Sequence, residues 1–211
     1  MEIGEVWKSL EKDLADVEAC IITNLESRTP LIPEVGFHLL KGGGKRIRPL
    51  LLLLSAKACG YKGNRHYLLA SIIEYIHTAS LLHDDVVDEA SMRRGQKSAN
   101  RVWGNQASIL VGDFLYSKAL YLAVREHNQQ IMDVLSDATT TMSEGEVMQL
   151  AHIGNLGVTE GEYLDVITYK TAALISAACH LGAIIAEASQ EIRDAMIAFG
   201  MNIGIAFQLI D

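Results

Sequence analysis

The segment Glu74 to Asp88 reads EYIHTASLLHDDVVD and carries the strongest chemical signal in the chain. Asp84 and Asp88 stand four residues apart and Asp85 and Asp88 three apart, spacings that put carboxylates on one face of a helix with Cβ atoms roughly 5 to 6 Å apart. A solvated acidic face interleaves Lys or Arg, whereas here the neighbours are Leu81, Leu82, Val86 and Val87. Like charges crowded in apolar surroundings need a cation. Oxygen-only ligands in a sparse site match Mg²⁺, which keeps several waters and binds through one or two carboxylates plus substrate phosphates.

Basic residues flank this segment. Lys41, Lys45, Arg46 and Arg48 surround Gly42, Gly43 and Gly44 on one side, and Arg93-Arg94-Gly95 follows on the other. A P-loop is excluded, because Leu39 stands where its first glycine belongs and Arg46 where its Ser or Thr belongs. What remains is backbone that an anion can approach, beside guanidinium and ammonium donors that match phosphate oxygens. In a chain with 18 Lys and Arg against 26 Asp and Glu, a net charge of -8, two basic clusters around aspartates point to a diphosphate pocket, and the overall balance argues against nucleic acid.

The elements that must position these groups read as helices. Val6, Leu10, Leu14, Val17 and Ile21 form one stripe at spacings of three and four, and Leu69, Ile72, Ile73, Ile76 and Ala79 another. All three prolines fall within the first 50 residues, so later helices run unbroken. Turn signals at residues 28–33, 60–64, 92–105 and 154–161 divide the chain into about six to eight helices, with Asn105 and Thr159 as N-caps, the latter in a capping box with Glu162. The Ala-, Ser- and Gly-rich stretch from Lys170 to Ala188 lets neighbours approach closely. Cys20, Cys59 and Cys179 lie far apart and read as small buried residues. The expectation is an all-α, single helical domain over residues 1–211. No apolar run approaches the roughly 20 residues of a membrane span, and the N-terminus lacks a secretory signal, so no transmembrane segment and a cytoplasmic location are expected. The apolar stripe still running at Ile210 suggests a fragment of a larger domain.

Taken together, GGGKRIRP (42–49), IHTASLLHDDVVDE (76–89), MRRG (92–95), VGDFLYSKA (111–119), SEGEVMQL (143–150), YKTA (169–172) and FQLID (207–211) resemble the trans-type polyprenyl diphosphate synthases, most of all their long-chain, octaprenyl-type members. The resemblance implies helices around a central cavity, a homodimer, and Mg²⁺-dependent condensation of isopentenyl diphosphate with an allylic diphosphate. A long all-trans product for quinone side chains would follow, with peripheral membrane contact for its release. Carried over residue by residue, Asp84, Asp85 and Asp88 would hold Mg²⁺, with Asp211 opening a second metal motif that this chain does not continue, so the 211 residues alone are expected to be poorly active. Arg93, Lys170, Thr171 and Gln208 would face the allylic diphosphate and the developing carbocation. Lys45, Arg48, His77 and Arg94 would bind isopentenyl diphosphate. Ala79 and Ser80, with Ile76 a turn beyond, would leave room for the growing tail. His83 is read as structural, and Glu144, Glu146 and Gln149 as bordering the pocket without being ligands. Competing readings are a short-chain (C15 or C20) synthase, a non-catalytic subunit of a heteromeric synthase, and a terpene cyclase; the cyclase has no need of the second diphosphate site.

Overall fold

The computed structural model describes residues 3–41, 44 and 46–210. Its helices are α1 (Ile3–Ser9), α2 (Glu11–Asn24), α3 (Leu31–Lys41), α4 (Ile47–Ala58), α5 (Arg65–Val87), α6 (Ala99–Trp103), α7 (Asn105–Val124), α8 (Gln129–His152), α9 (Glu160–Ile167), α10 (Ala173–Ile185) and α11 (Gln190–Ile210). A two-residue hairpin, β1 (Met92–Arg93) with β2 (Gln96–Lys97), separates α5 from α6, and a single π-helical turn, Thr168–Ala172, joins α9 to α10. The fold is all-α, as its apolar periodicity predicts.

α5 is the axis of the bundle. Its 23 residues span about 34 Å, and Leu69, Ile72, Ile73, Tyr75, Ile76, Ala79 and Leu82 are all buried. It packs on α2, α4, α7 and α10, while α10 in turn packs on α4, α8 and α11. Tyr75 settles a point that periodicity leaves open: it is turned away from the cavity described below, into the core, where its hydroxyl donates to the Ile21 carbonyl at 2.5 Å.

Several expectations need correction. Eleven α-helices are present among the described residues, more than the six to eight expected, because short helices such as α1 and α6 form without a capping signature. The 92–105 turn region contains a hairpin and α6, its reversal made by Arg94 and Gly95 at φ 50° and 77°, the pattern of a type I′ turn. Thr159 does form the capping box with Glu162, but α7 is preceded by Gly104 and Asn105 is its first residue, not its cap. Only Cys179 of the three cysteines is fully buried. The stretches 105–124 and 160–185 are long and apolar enough to cross a membrane by length and composition, contrary to expectation. The second is enclosed by the bundle, whereas α7 leaves Ile109, Leu110, Leu120, Tyr121 and Val124 exposed.

Candidate active site

The C-terminal half of α5 presents His77, Ser80, Leu81, Asp84 and Asp88 at spacings of three and four, one face of the helix, to a cavity of about 680 Å³. Arg46, Ile47 and Arg48 enter it from the start of α4, Met92, Arg93 and Arg94 from the hairpin, Met142 and Glu146 from α8, Lys170 and Thr171 from the π turn, and Phe207 and Gln208 from α11. Residues spread over 160 positions of sequence therefore meet in one place. Lys45 and Asp211 lie outside the described residues.

One wall is basic. The Arg48 guanidinium stands 3.2 Å from His77 Nε2, and its own Nε is buried without a partner among the described residues. Burial and the nearby Arg94 pull Arg48 down to about 10, against the opposing pull of Glu74. Burial, then the surrounding arginines, hold His77 well below the ordinary imidazole range, so it is neutral at pH 7. This wall offers hydrogen-bond donors and positive charge to an anion, and Glu74 is its buried carboxylate.

The facing group is acidic. Lys170 Nζ lies 2.7 Å from Glu146 and 3.6 Å from Asp84. Burial, followed by repulsion from Glu146 and Asp88, pushes the Asp84 carboxyl up to about 6, although Lys170 and Arg93 oppose it. A carboxylate so raised is short of positive charge, which a divalent cation supplies. Among the described residues no three His, Cys, Asp or Glu side chains converge into a self-sufficient metal site. Asp84 and Asp88 could hold a divalent cation, and with the oxygens of a diphosphate they would form the hard, all-oxygen set that suits Mg²⁺.

Asp85 is placed differently from its neighbours. Its side chain is fully buried, does not line the cavity, and is gripped through one oxygen by Arg93, at 2.8 Å from Nε and 2.6 Å from Nη2. Consecutive residues on a helix are about 100° apart, so one of two adjacent aspartates must leave the shared face. Ala79 and Ile76 are likewise buried outside the lining, while Ser80 reaches it. Of the residues not assigned as ligands, Glu146 lines the cavity and Glu144 is exposed. The signal for Glu146 lies in the residue before it. A Cβ on Gly145 would come within 2.5 Å of the Lys170 backbone nitrogen, and one on Gly204 within 2.4 Å of the Ala172 Cα. Two glycines thus let α8 and α11 close on the π turn and set Glu146 beside Lys170. His83 stays apart from the cavity, with Nε2 3.2 Å from the Ile109 carbonyl oxygen.

Comparison with known proteins places this geometry. The chain is 43% identical to octaprenyl diphosphate synthase of Escherichia coli over all 211 residues, which are 65% of that protein. It is 40% identical over 208 residues to the nonaprenyl-diphosphate synthase of Rhodobacter capsulatus. The crystal structure of a decaprenyl diphosphate synthase from Rhodobacter capsulatus superposes with a TM-score of 0.96 at 45% identity, covering 99% of this chain and 64% of that one. A Caulobacter crescentus polyprenyl synthase complexed with calcium and isoprenyl diphosphate also superposes at 0.96, with 38% identity, covering 99% of this chain and 63% of that one. The chain spans about 65% of the length of the curated relatives it matches. Residues 29–211 also match the polyprenyl synthetase model, and on this match the chain belongs to the polyprenyl synthetase family.

Proposed function

We propose that this chain forms the larger part of a Mg²⁺-dependent prenyltransferase that condenses isopentenyl diphosphate with an allylic diphosphate to make a long all-trans polyprenyl diphosphate, octaprenyl-like, for quinone side chains. The observation that carries the reading is the division of one cavity into a basic wall of Arg48, His77 and Arg94 and a group of Asp84, Asp88 and Lys170. Two diphosphates need two such places, and a cyclase needs one.

Asp84 and Asp88 would hold Mg²⁺, which when bound neutralises the charge gathering on the departing diphosphate. Lys170, paired with Glu146 and near Asp84, would face the same leaving group, and Arg93, fixed by Asp85, would stand at its edge. Arg48, Arg94 and neutral His77 donate to the diphosphate of isopentenyl diphosphate and hold its double bond towards the allylic carbon. The ionised allyl cation lies near Thr171 and Gln208, whose oxygen atoms stabilise it. Attack by the double bond forms the new carbon–carbon bond as the allylic C–O bond is broken, and transfer of a proton from the resulting cation to the departed diphosphate restores the alkene. Leu81, Met142 and Phe207 give the tail an apolar path, and the small Ser80 leaves it open.

The apolar outer face of α7, with Leu110 67% exposed, fits a homodimer contact. A cytoplasmic enzyme that touches the membrane only peripherally completes the reading. Labelled isopentenyl diphosphate, an allylic primer and Mg²⁺ given to the full-length polypeptide carrying this sequence should yield products near C40. Products stopping at C15 or C20 would favour the short-chain reading, and no incorporation would favour the non-catalytic subunit.

A further inference from the structure

Arg46 lines the cavity beside Arg48 and Arg94, yet its guanidinium is already engaged. It donates to the buried carboxylate of Glu74 and to the Leu40 carbonyl, and it lies 3.7 Å from Glu18. Its backbone is left-handed, at φ 47° and ψ 35°, a conformation that costs an L residue and persists where surrounding contacts enforce it. The side chain therefore ties the end of α3, the start of α4 and the middle of α5 to one point, two residues before Arg48.

Glu74 is the reason this matters. It sits one turn before His77 on α5, 3% exposed, and its charge is felt by both Arg48 and Arg94. A buried carboxylate must be paired, and without a dedicated cation it takes whichever guanidinium is nearest. Among the described residues, the hydrogen bond of Arg94 is a long 3.4 Å one to the Leu39 carbonyl, which a buried carboxylate readily displaces. Arg48 is held through Nη1 by His77 Nε2 at 3.2 Å, but its Nε has no partner among the described residues.

We propose that Arg46 is a positioning residue that occupies Glu74, so that Arg48 and Arg94 remain available to the diphosphate of isopentenyl diphosphate. Arg46 itself does not contact the substrate. The pair pre-builds an anion site whose donors need no rearrangement when ligand arrives. This inference rests on the prenyltransferase reading for the identity of the ligand and on the geometry for the pairing.

The test is a charge-removal cycle in the full-length polypeptide, with folding followed by circular dichroism. Arg46→Gln should raise the KM for isopentenyl diphosphate at least tenfold while the KM for the allylic substrate stays within twofold, because freed Glu74 captures Arg48 or Arg94. Arg46→Gln with Glu74→Gln should bring the KM back to within about threefold of wild type, because no carboxylate remains to compete. A merely structural pair would also be relieved by removing its second member, but it would shift both KM values together, so the selective rise for isopentenyl diphosphate is what assigns the positioning role. Equal rises in both KM values, an unchanged KM in Arg46→Gln, or a double variant as impaired as the single would overturn the proposal. If Arg46→Gln does not fold, the double variant decides: a KM near wild type upholds the proposal, and a tenfold rise refutes it. Calorimetric binding of inorganic diphosphate in Mg²⁺-free buffer, expected to follow the same order, separates this result from the function itself. Wild-type protein that binds diphosphate in this pattern but elongates nothing would refute the prenyltransferase reading alone.

Discussion

Arg93 spends its Nε and Nη2 on a single oxygen of Asp85, at 2.8 and 2.6 Å, while Asp84, one residue earlier, faces the open cavity beside Lys170. Adjacent aspartates are thus placed oppositely: one holds an arginine in place, and the other faces the cavity, where the proposed function gives it a cation.

Their substitutions should therefore part company in stability. Asp85→Ala removes the anchor of Arg93, whose side chain is 30% exposed and can rehydrate, and should cost about 1 to 3 kcal/mol. Asp84→Asn should stabilise the metal-free protein at pH 7 by on the order of 2 kcal/mol, since its carboxyl is pushed up to about 6 by burial, Glu146 and Asp88. A raised acid favours its protonated form in the folded state, so this penalty is absent below about pH 4 and complete above about pH 6. Urea titrations from pH 4 to 7 measure both effects. Equal losses in the two variants would contradict the assignment. Activity should fall about a hundredfold or more in Asp84→Asn, with helicity retained.

His77 is expected to act as a neutral donor. Burial and the arginines around it hold its pKa well below 6.5, so folding excludes a proton that the unfolded chain binds. The sign is that stability falls as pH drops below the unfolded value of about 6.5. His77→Gln keeps a neutral donor and should leave the isopentenyl diphosphate KM within about threefold while removing part of that acid loss. His77→Ala should raise the KM about tenfold, the effect of one lost hydrogen bond to a charged group. Nuclear magnetic resonance titration showing a charged His77 at pH 7 would contradict this role.

Gly145→Ala would drive a methyl group into the Lys170 backbone, 2.5 Å from its nitrogen, where no flexible side-chain end can yield. A loss of about 1 to 3 kcal/mol in stability is expected, together with a larger loss of turnover than the stability change explains, because the π turn carries Lys170 and Thr171. Chemical denaturation and steady-state rates on the same sample check the pair of effects.

Ser80 is the small α5 residue that reaches the cavity, one turn before Asp84 and beside Leu81. Ser80→Phe should shorten the products while the first condensations remain fast, since both diphosphate sites are untouched. Thin-layer sizing of labelled products measures this. An unchanged length distribution would place the tail along another wall.

Much of this was legible in the residues themselves, for reasons that differ by element. α5 announces itself through apolar residues three and four apart, and the pairing of Asp84 with Asp88 follows from the same period. Asp85 obeys that geometry too, but which of two adjacent carboxylates turns inward depends on Arg93, eight residues on across a hairpin. Glu146 and Glu74 were less visible. Glu146 acquires its role from Lys170, 24 residues later, and Glu74 sits in the apolar run Ile72–Ile76 with its counter-charge 28 residues earlier. Long-range charge pairing leaves no periodic trace, although Gly145 beside Glu146 is the local hint of a close helix contact. The π turn is similarly silent, since Thr168–Ala172 is ordinary helix-forming sequence and its shape comes from packing between Gly145 and Gly204.

On the proposed function, one cavity holds two distinct diphosphate sites, one dependent on Mg²⁺ and one on arginine. Calorimetric titration of inorganic diphosphate into the full-length polypeptide, with and without Mg²⁺, measures this directly. Two binding events are predicted with Mg²⁺, of which Asp84→Asn removes one and Arg48→Gln with Arg94→Gln removes the other, while chelation of Mg²⁺ leaves only the arginine-dependent event. A single event abolished by either set of substitutions would contradict the account.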